Sequence, residues 1–178
     1  RMIYSTDASI YQIEPLGVVI PRSVEDVIAT IETAINFNVP VLPRGGGTSL
    51  AGQTIGRSIV IDFSKYLNNV IEINQEEKWA RVQPGIILDE LNHQIRDLNL
   101  LFSPDPSTSS RGNVGGAIGN NSCGAHSIVW GKTVDNVSEI NAVLSNGTQI
   151  QLGSIKKNQI DSDFDGKFLC LENVLKII

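Results

Sequence analysis

With 178 residues, 41% of them hydrophobic and 19% charged, the chain can build one sizeable globular core or two small ones. Its net charge of −5 and pI near 5.0 argue against nucleic acid, which demands clustered cations; the one adjacent cationic pair is Lys156–Lys157. Two distant cysteines, Cys123 and Cys170, form neither a disulfide framework nor a zinc pattern, which suits a reducing compartment. No apolar run approaches the roughly 18 residues of a membrane span. The polar N-terminus has no signal-peptide core, so cytoplasm is the default location. Because the chain starts without Met and stops on the apolar "LENVLKII", it is expected to be a piece of a longer protein.

"LGVVI" (Leu16 to Ile20) is a short β-branched run closed by Pro21 and predicts a buried strand. Ser23 then opens a helix, with Glu25 and Asp26 in its first turn to complement the dipole. Val24, Val27, Ile28, Ile31, Ala34 and Ile35 fall on one stripe of that helix. "VPVLP" is a second strand, and "SIVIDF" (Ser58 to Phe63) a third. This α/β alternation places ligands where loops leave the strands.

After a break near residues 64–69 the pattern changes. "VIEIN" and "WARVQ" alternate apolar and polar residues and predict a hairpin. Ile87, Leu88, Leu91, Ile95 and Leu98 recur at helical spacing. "VSEINAVLSNGTQIQL" predicts a second hairpin, turned at Asn146–Gly147, and is the last segment with a readable pattern.

Two stretches resist a regular element. Of sixteen glycines, five lie between Gly45 and Gly56 and six between Pro104 and Gly131. Glycine weakens helices and strands, so this density marks close backbone approach or positive φ. The second stretch carries only Asp105 and Arg111 as formal charges, too few for a merely solvated loop.

"PRGGGTSLAGQT" nearly reads as a triphosphate-binding loop from Gly47, but Gln53 stands where the phosphate-binding Lys belongs, before Thr54. The dinucleotide fingerprint G-x-G-x-x-G fails too, since its sixth position from Gly45 is Leu50 and Gly52 and Gly56 interrupt any helix. What fits is a nest of consecutive amides around an anion, requiring neither Lys nor metal. Arg44 offers charge to a diphosphate, Thr48 and Ser49 offer hydroxyls, and Asn120, Asn121 and Ser122 offer neutral donors from the second stretch. Two neutral glycine walls suit a flat ligand with a diphosphate, a flavin dinucleotide better than ATP.

Both stretches resemble the FAD-binding fold of the vanillyl-alcohol oxidase and p-cresol methylhydroxylase family, most closely its glycolate oxidase and D-lactate dehydrogenase branch. "VPVLPRGGGTSLAGQ", "ARVQPG", "FSPDPSTSS", "VGGAIGNNSCGAHSIVWGKTVDNV" and "LSNGTQIQLG" follow that family's order and spacing from about Leu16 to Gly153. The resemblance implies an α+β fold: a small α/β subdomain, about residues 16–66, then a larger subdomain, about 67–178, on a mainly antiparallel sheet flanked by helices. It implies that Arg44, Gly45, Gly46, Gly47, Thr48 and Ser49 wrap the FAD diphosphate. Pro104, Asp105, Ser107, Thr108, Gly115, Gly116, Asn120, Ser122, Gly124, Ala125 and Gly131 would line the isoalloxazine and ribityl side, and Val137 would lie near the adenine or its ribose.

Departures carry further expectations. Covalent relatives place a His just after the first glycines; Gly47 and Thr48 stand there, so noncovalent FAD is expected. The family's "GSEGTLG"-like closing segment is missing. So is its cap domain, where the family keeps its substrate-binding Arg and catalytic or metal-binding His residues; no catalytic or metal-binding residue is therefore assigned, and the stretch alone is expected to be inactive. The opening "YSTDASIYQIEPLGVVIPRS" resembles long members that carry an iron–sulfur region elsewhere. The implied reaction is oxidation of a 2-hydroxy acid (D-lactate, glycolate or 2-hydroxyglutarate type) with hydride transfer to flavin N5 and an electron acceptor other than NAD. The alternatives are an electron-transfer FAD module of a multi-centre complex and a non-redox nucleotide-binding domain.

Single residues stay open on sequence alone. His126 offers a hydrogen bond to cofactor or substrate, or simply faces solvent; His93 has no partner in view. Cys123 is expected as a small buried thiol, Trp79 and Trp130 as core or cofactor-edge packing, and Asp105 as a turn cap.

Overall fold

A computed structural model describes residues 1–153 and 168–177. Lys156–Lys157 lie outside the described residues. Strand β1 (Gly17–Val19) leads into helix α1 (Val24–Asn36), whose N-cap Ser23 accepts a hydrogen bond from the Asp26 amide. β2 (Val41–Arg44) and β3 (Ile59–Asp62) complete a parallel sheet of order β1-β3-β2. Parallel strands need a crossover, and α1 supplies it between β1 and β2. Val27, Ile31 and Ala34 bury as the periodicity requires, whereas Ile35 stays 48% exposed at the edge of the stripe.

β4 (Val70–Asn74) and β5 (Trp79–Val82) form the first antiparallel hairpin, with Lys78 at φ +56 in its turn. Helix α2 (Leu88–Ile95) follows Pro84–Gly85, and its last turn tightens over Arg96–Leu98 before Asn99 ends it in the left-handed region. The second glycine stretch is not plain loop. It contains two short helices, α3 (Val114–Gly119) and α4 (Ser127–Trp130), which sequence periodicity is too brief to register. β6 (Val137–Leu144) and β7 (Gln149–Gly153) form the second hairpin, with Gly147 at φ +83.

β8 (Phe168–Lys176) was not legible in the sequence. It enters the middle of a five-stranded antiparallel sheet, β4-β5-β8-β6-β7, pairing with β5 and β6. Its central place is set by pairing with strands distant in the sequence, which no local pattern records. Arg81 on β5 spans this central strand to Glu139 on β6 at 2.9 Å.

Among the described residues the buried apolar side chains form two clusters. The larger packs Leu88, Leu91 and Ile95 of α2 and Val114 and Ala117 of α3 on Ala80, Val82 and Leu175 of the antiparallel sheet. The smaller joins Val27, Ile31, Ile61 and Phe63 of the α/β unit to Leu67 and to Val143 of β6. Val143 has no exposed surface. Burying a side chain of this size contributes about 1.5–3 kcal/mol, so β6 helps fasten the two units to each other. No helix among the described residues is long and apolar enough to cross a membrane.

Candidate functional site

The first glycine stretch leaves the C-terminal end of β2, where an open α/β sheet presents its ligand crevice. Its geometry is set by close packing. A side chain at Gly45 would come within 2.5 Å of the Asn113 Oδ1, and one at Gly46 within 2.1 Å of the Arg111 carbonyl oxygen. The tightness at Gly46 is thus against protein backbone of the second stretch, not open space. Gly47 needs its glycine for another reason: it sits at φ +65 with the Arg44 guanidinium beneath it. Among the described residues, no hydrogen bond engages the amides of Gly45, Gly46, Gly47, Thr48 or Ser49. Five consecutive uncommitted amides are the donor set that an anion nest requires.

The hydroxyl and cation expected to assist are engaged within the protein. Ser49 Oγ donates to Gln53 Oε1 and accepts from the Ala51 and Gln53 amides, holding the loop's far side in a turn. Arg44 donates to the Thr54 carbonyl at 3.2 Å and the Thr6 carbonyl at 2.9 Å, with its guanidinium over the Tyr4 ring. Its role here is to staple the loop's two ends.

The second stretch is pinned by buried polar residues. Ser103 donates to Asn136, whose amide nitrogen donates to the Trp130 and Lys132 carbonyls at 2.9 Å each. Thr133 Oγ1 donates to the Ser122 carbonyl at 2.7 Å. Gly124 lies so close to Asp105 that a Cβ would overlap its carbonyl, and Gly131 takes φ +79 against the Asp135 carboxylate. Asn113 donates to the Gly85 carbonyl while its own Oδ1, fully buried beside Gly45, has no partner among the described residues. An orphaned acceptor at this junction costs on the order of 1–3 kcal/mol and marks the place where the two stretches meet.

Between the two units lies a cleft of about 760 Å³, within the range of small-molecule and cofactor sites. Arg44, Gly45, Gly115, Gly116 and Asn120 line it, together with Gln53, Thr54, Gly119 and Ser145. Apolar walls come from Ile31, Val41, Phe63, Ile118 and Val143, and among the described residues Arg44 is the one formally charged residue in the lining. Among the described residues, a Cβ at Gly116 or Gly119 would meet nothing within 4 Å, so these two positions keep cleft space open instead of relieving a protein contact. The Gly116 amide, too, has no partner among the described residues.

The other expected residues lie elsewhere. Gly46, Gly47, Thr48 and Ser49 continue from the cleft's glycine wall. Pro104, Asp105, Ser107, Thr108, Ser122, Gly124, Ala125 and Gly131 belong to the segments around α4, outside the cleft lining. Val137 lines a separate hollow of about 220 Å³ with Ile118 and Thr133. His126 stands 3.4 Å from the Asp105 carboxylate and packs edge-on against Trp130; Asp105 makes this contact instead of capping a turn. Cys123 is exposed, not buried as expected, because the segment after α3 runs over the surface. Trp79 donates to Glu77 at 2.8 Å at the hairpin turn, and His93 is exposed on α2.

The sequence reading missed Gly119, Gln53, Thr54 and Ser145 as lining residues. Gly119 had a signal, being a glycine in a helix; Ser145 had none, since only the crossing of β6 toward the first unit brings it there. It also missed residues 4–12, which close over the first glycine stretch. There Asp7 accepts from the Thr54 hydroxyl at 3.0 Å and from the Ser9 amide at 2.9 Å. Burial alone would push the Asp7 carboxyl up, but these Ser9 and Thr54 hydrogen bonds hold it below its ordinary value.

The residues fit a bound flavin dinucleotide by their own geometry. The cleft is largely apolar and free of carboxylates among its described lining residues, with Arg44 as a single cation; it is kept open at Gly116 and Gly119, and five free amides offer donors to a diphosphate. A family model described as an FAD binding domain matches residues 15–153. D-2-hydroxyglutarate dehydrogenase of Escherichia coli is 43% identical over 150 residues, 83% of this chain but 15% of that protein. Glycolate oxidase subunit GlcD of Bacillus subtilis is 34% identical over 182 residues, covering 100% of this chain and 38% of its own length. The mitochondrial cytochrome-type D-lactate dehydrogenase of Kluyveromyces lactis is 32% identical over 169 residues, 92% of this chain and 29% of that one. Among solved structures, an alkyldihydroxyacetonephosphate synthase superposes with a TM-score of 0.77 at 25% identity, over 90% of this chain and 31% of that chain. The chain thus spans well under half the length of these relatives. It belongs to the FAD-binding domain family of the glycolate oxidase and D-lactate dehydrogenase branch, with FAD as its cofactor.

Proposed function

We propose that the chain is the cofactor-holding part of a flavin-dependent dehydrogenase or oxidase that acts on a 2-hydroxy acid. What carries this reading is that three relatives at 32–43% identity are each named for a different 2-hydroxy acid. The fold by itself does not choose the reaction, since a synthase shares it. When bound, the flavin supplies a hydride acceptor at N5 for the substrate's Cα. The chain's own residues bind, orient and exclude water.

In this reading the amides of Gly45 to Ser49 hold the diphosphate, with Arg44 acting through the loop it staples. Gly115, Gly116 and Asn120 lie along the cofactor, and Gly119 leaves it room. Pro104, Asp105, Ser107, Thr108, Ser122, Gly124, Ala125 and Gly131 form the wall on the ring and ribityl side. Val137 meets the adenine end only where the ligand reaches the smaller hollow behind α3. The chain divides near residue 66 into a first and a second unit that share the cofactor. Recognition of the acid, its proton acceptor and the electron acceptor belong to parts of the protein that correspond to the remaining length of the relatives. A cytoplasmic location accompanies this reading.

Anaerobic mixing of the full-length flavoprotein with D-2-hydroxyglutarate, D-lactate or glycolate tests it. One of the three is expected to bleach the yellow flavin absorbance. Bleaching by a chemical reductant but by none of the three acids would overturn the substrate class.

A further inference from the structure

Residues 1–14 precede the span matched by the family model, yet they make the contacts that set the first glycine stretch. The Ala8 amide donates to the Gly47 carbonyl at 3.0 Å. Arg44 reaches the Thr6 carbonyl with one guanidinium nitrogen and the Thr54 carbonyl with another. Asp7 takes both donors of Thr54, its hydroxyl at 3.0 Å and its amide at 3.4 Å. Tyr4 lies under the Arg44 guanidinium and donates to the buried Asp62 at 2.8 Å. Gly52, at φ +74, lets the Tyr11 ring lie against the loop, where a side chain would come within 3.0 Å.

These contacts have a common geometry. The glycine loop begins at Gly45 and ends at Thr54, and both ends line the cleft. A loop of glycines has many accessible conformations, and fixing each residue costs roughly 1–2 kcal/mol of entropy. Its five uncommitted amides serve as a donor set only if that cost is met before the ligand arrives. The loop's own hydrogen bonds meet little of it, since its amides from Gly45 to Ser49 are uncommitted. Gly45 and Gly46 pack on the second stretch and Ser49 turns the loop's far side; the hydrogen bonds that tie the Gly47 and Thr54 ends down come from residues 4–12.

We infer that residues 4–12 are a strap that presets the diphosphate loop, with Asp7 as a positioning residue for FAD that does not touch it. This rests on the cofactor reading of the same cleft. Asp7 clamps Thr54, Thr54 and Arg44 fix the loop's end, and the five amides are thereby held in one arrangement. Asp7 acts through geometry and not charge, because a carboxylate close to a diphosphate would only repel it.

The test uses the full-length protein stripped of flavin, in wild-type form and as Asp7→Ala and Asp7→Asn. FAD affinity is measured by calorimetry and loop order by hydrogen exchange of residues 44–54. Asp7→Ala is expected to weaken FAD binding about tenfold or more and to raise exchange in the loop. Asp7→Asn, which keeps an acceptor oxygen for Thr54, is expected to recover both. Asp7→Ala with unchanged affinity would overturn the strap's role, as would weaker affinity with unchanged loop exchange. A wild-type protein that takes up no FAD would instead overturn the cofactor reading, while the exchange measurement still reads the coupling of strap to loop.

Discussion

Gly116 offers a substitution whose two effects should have opposite signs. It sits within α3, its φ is not in the left-handed region, and a Cβ there meets nothing within 4 Å. Replacing it with Ala removes backbone freedom from the unfolded chain without a clash in the folded one. That should stabilise the flavin-free protein by about 0.5–1 kcal/mol. For a domain of this size the melting temperature should rise by roughly 1–4 °C. The added methyl occupies the cleft beside the uncommitted Gly116 amide. If the cofactor's backbone is lifted from that amide, one hydrogen bond to a charged or strongly polar partner is lost, worth about 1.5–3 kcal/mol. Affinity for FAD should then fall by a factor of roughly 10 to 150. Thermal melts with and without FAD, together with calorimetric titration of the full-length protein, read both quantities. The stabilising increment that FAD gives the wild-type protein should shrink while the flavin-free melt moves up. Unchanged affinity in Gly116→Ala would show that the cofactor does not approach this wall, and a large drop in the flavin-free melt would show that the open space at Gly116 is misjudged.

Gly46→Val should behave the other way: its Cβ falls 2.1 Å from the Arg111 carbonyl, so the flavin-free protein itself should lose stability, by about 1–3 kcal/mol in a denaturant titration. FAD should be released into the supernatant on acid precipitation, because Gly47 and Thr48 offer no side chain for a covalent link; yellow colour retained in the pellet would contradict this. Burial, then the hydrogen bond and charge of Asp62, push Tyr4 up to about 12 from an ordinary 10.0. A proton held more tightly in the folded state contributes stability fully below about pH 10 and loses it as pH climbs through about 12, so alkali should loosen the strap in that window. Ultraviolet titration should show one late phenolate that Tyr4→Phe abolishes.

Local chemistry was enough to read much of the chain. Ser23 and the stripe Val24–Val27–Ile31–Ala34 announce α1, Asn146–Gly147 announces the hairpin of β6 and β7, and the clustering of eleven glycines marks the two stretches that meet at the cleft. These features are legible because periodicity, caps and turn conformations are properties of neighbouring residues. The ordered run of motifs likewise carried the family and its cofactor. Tertiary structure decided what depends on residues far apart. β8 is central because β5 and β6 both pair with it, and both partners lie far from it in the sequence. Gly45, Gly46 and Gly124 are packed against protein while Gly116 and Gly119 face open cleft, a distinction no glycine carries in its own sequence. Arg44 is a cation on paper and a staple in the fold, because two carbonyls separated by 48 residues converge on its guanidinium. The same long-range closure brings Asp7 to Thr54, and with it the strap that orders the loop. Sequence determines which residues can serve such a site; only the folded contacts determine which of them are left free to do so.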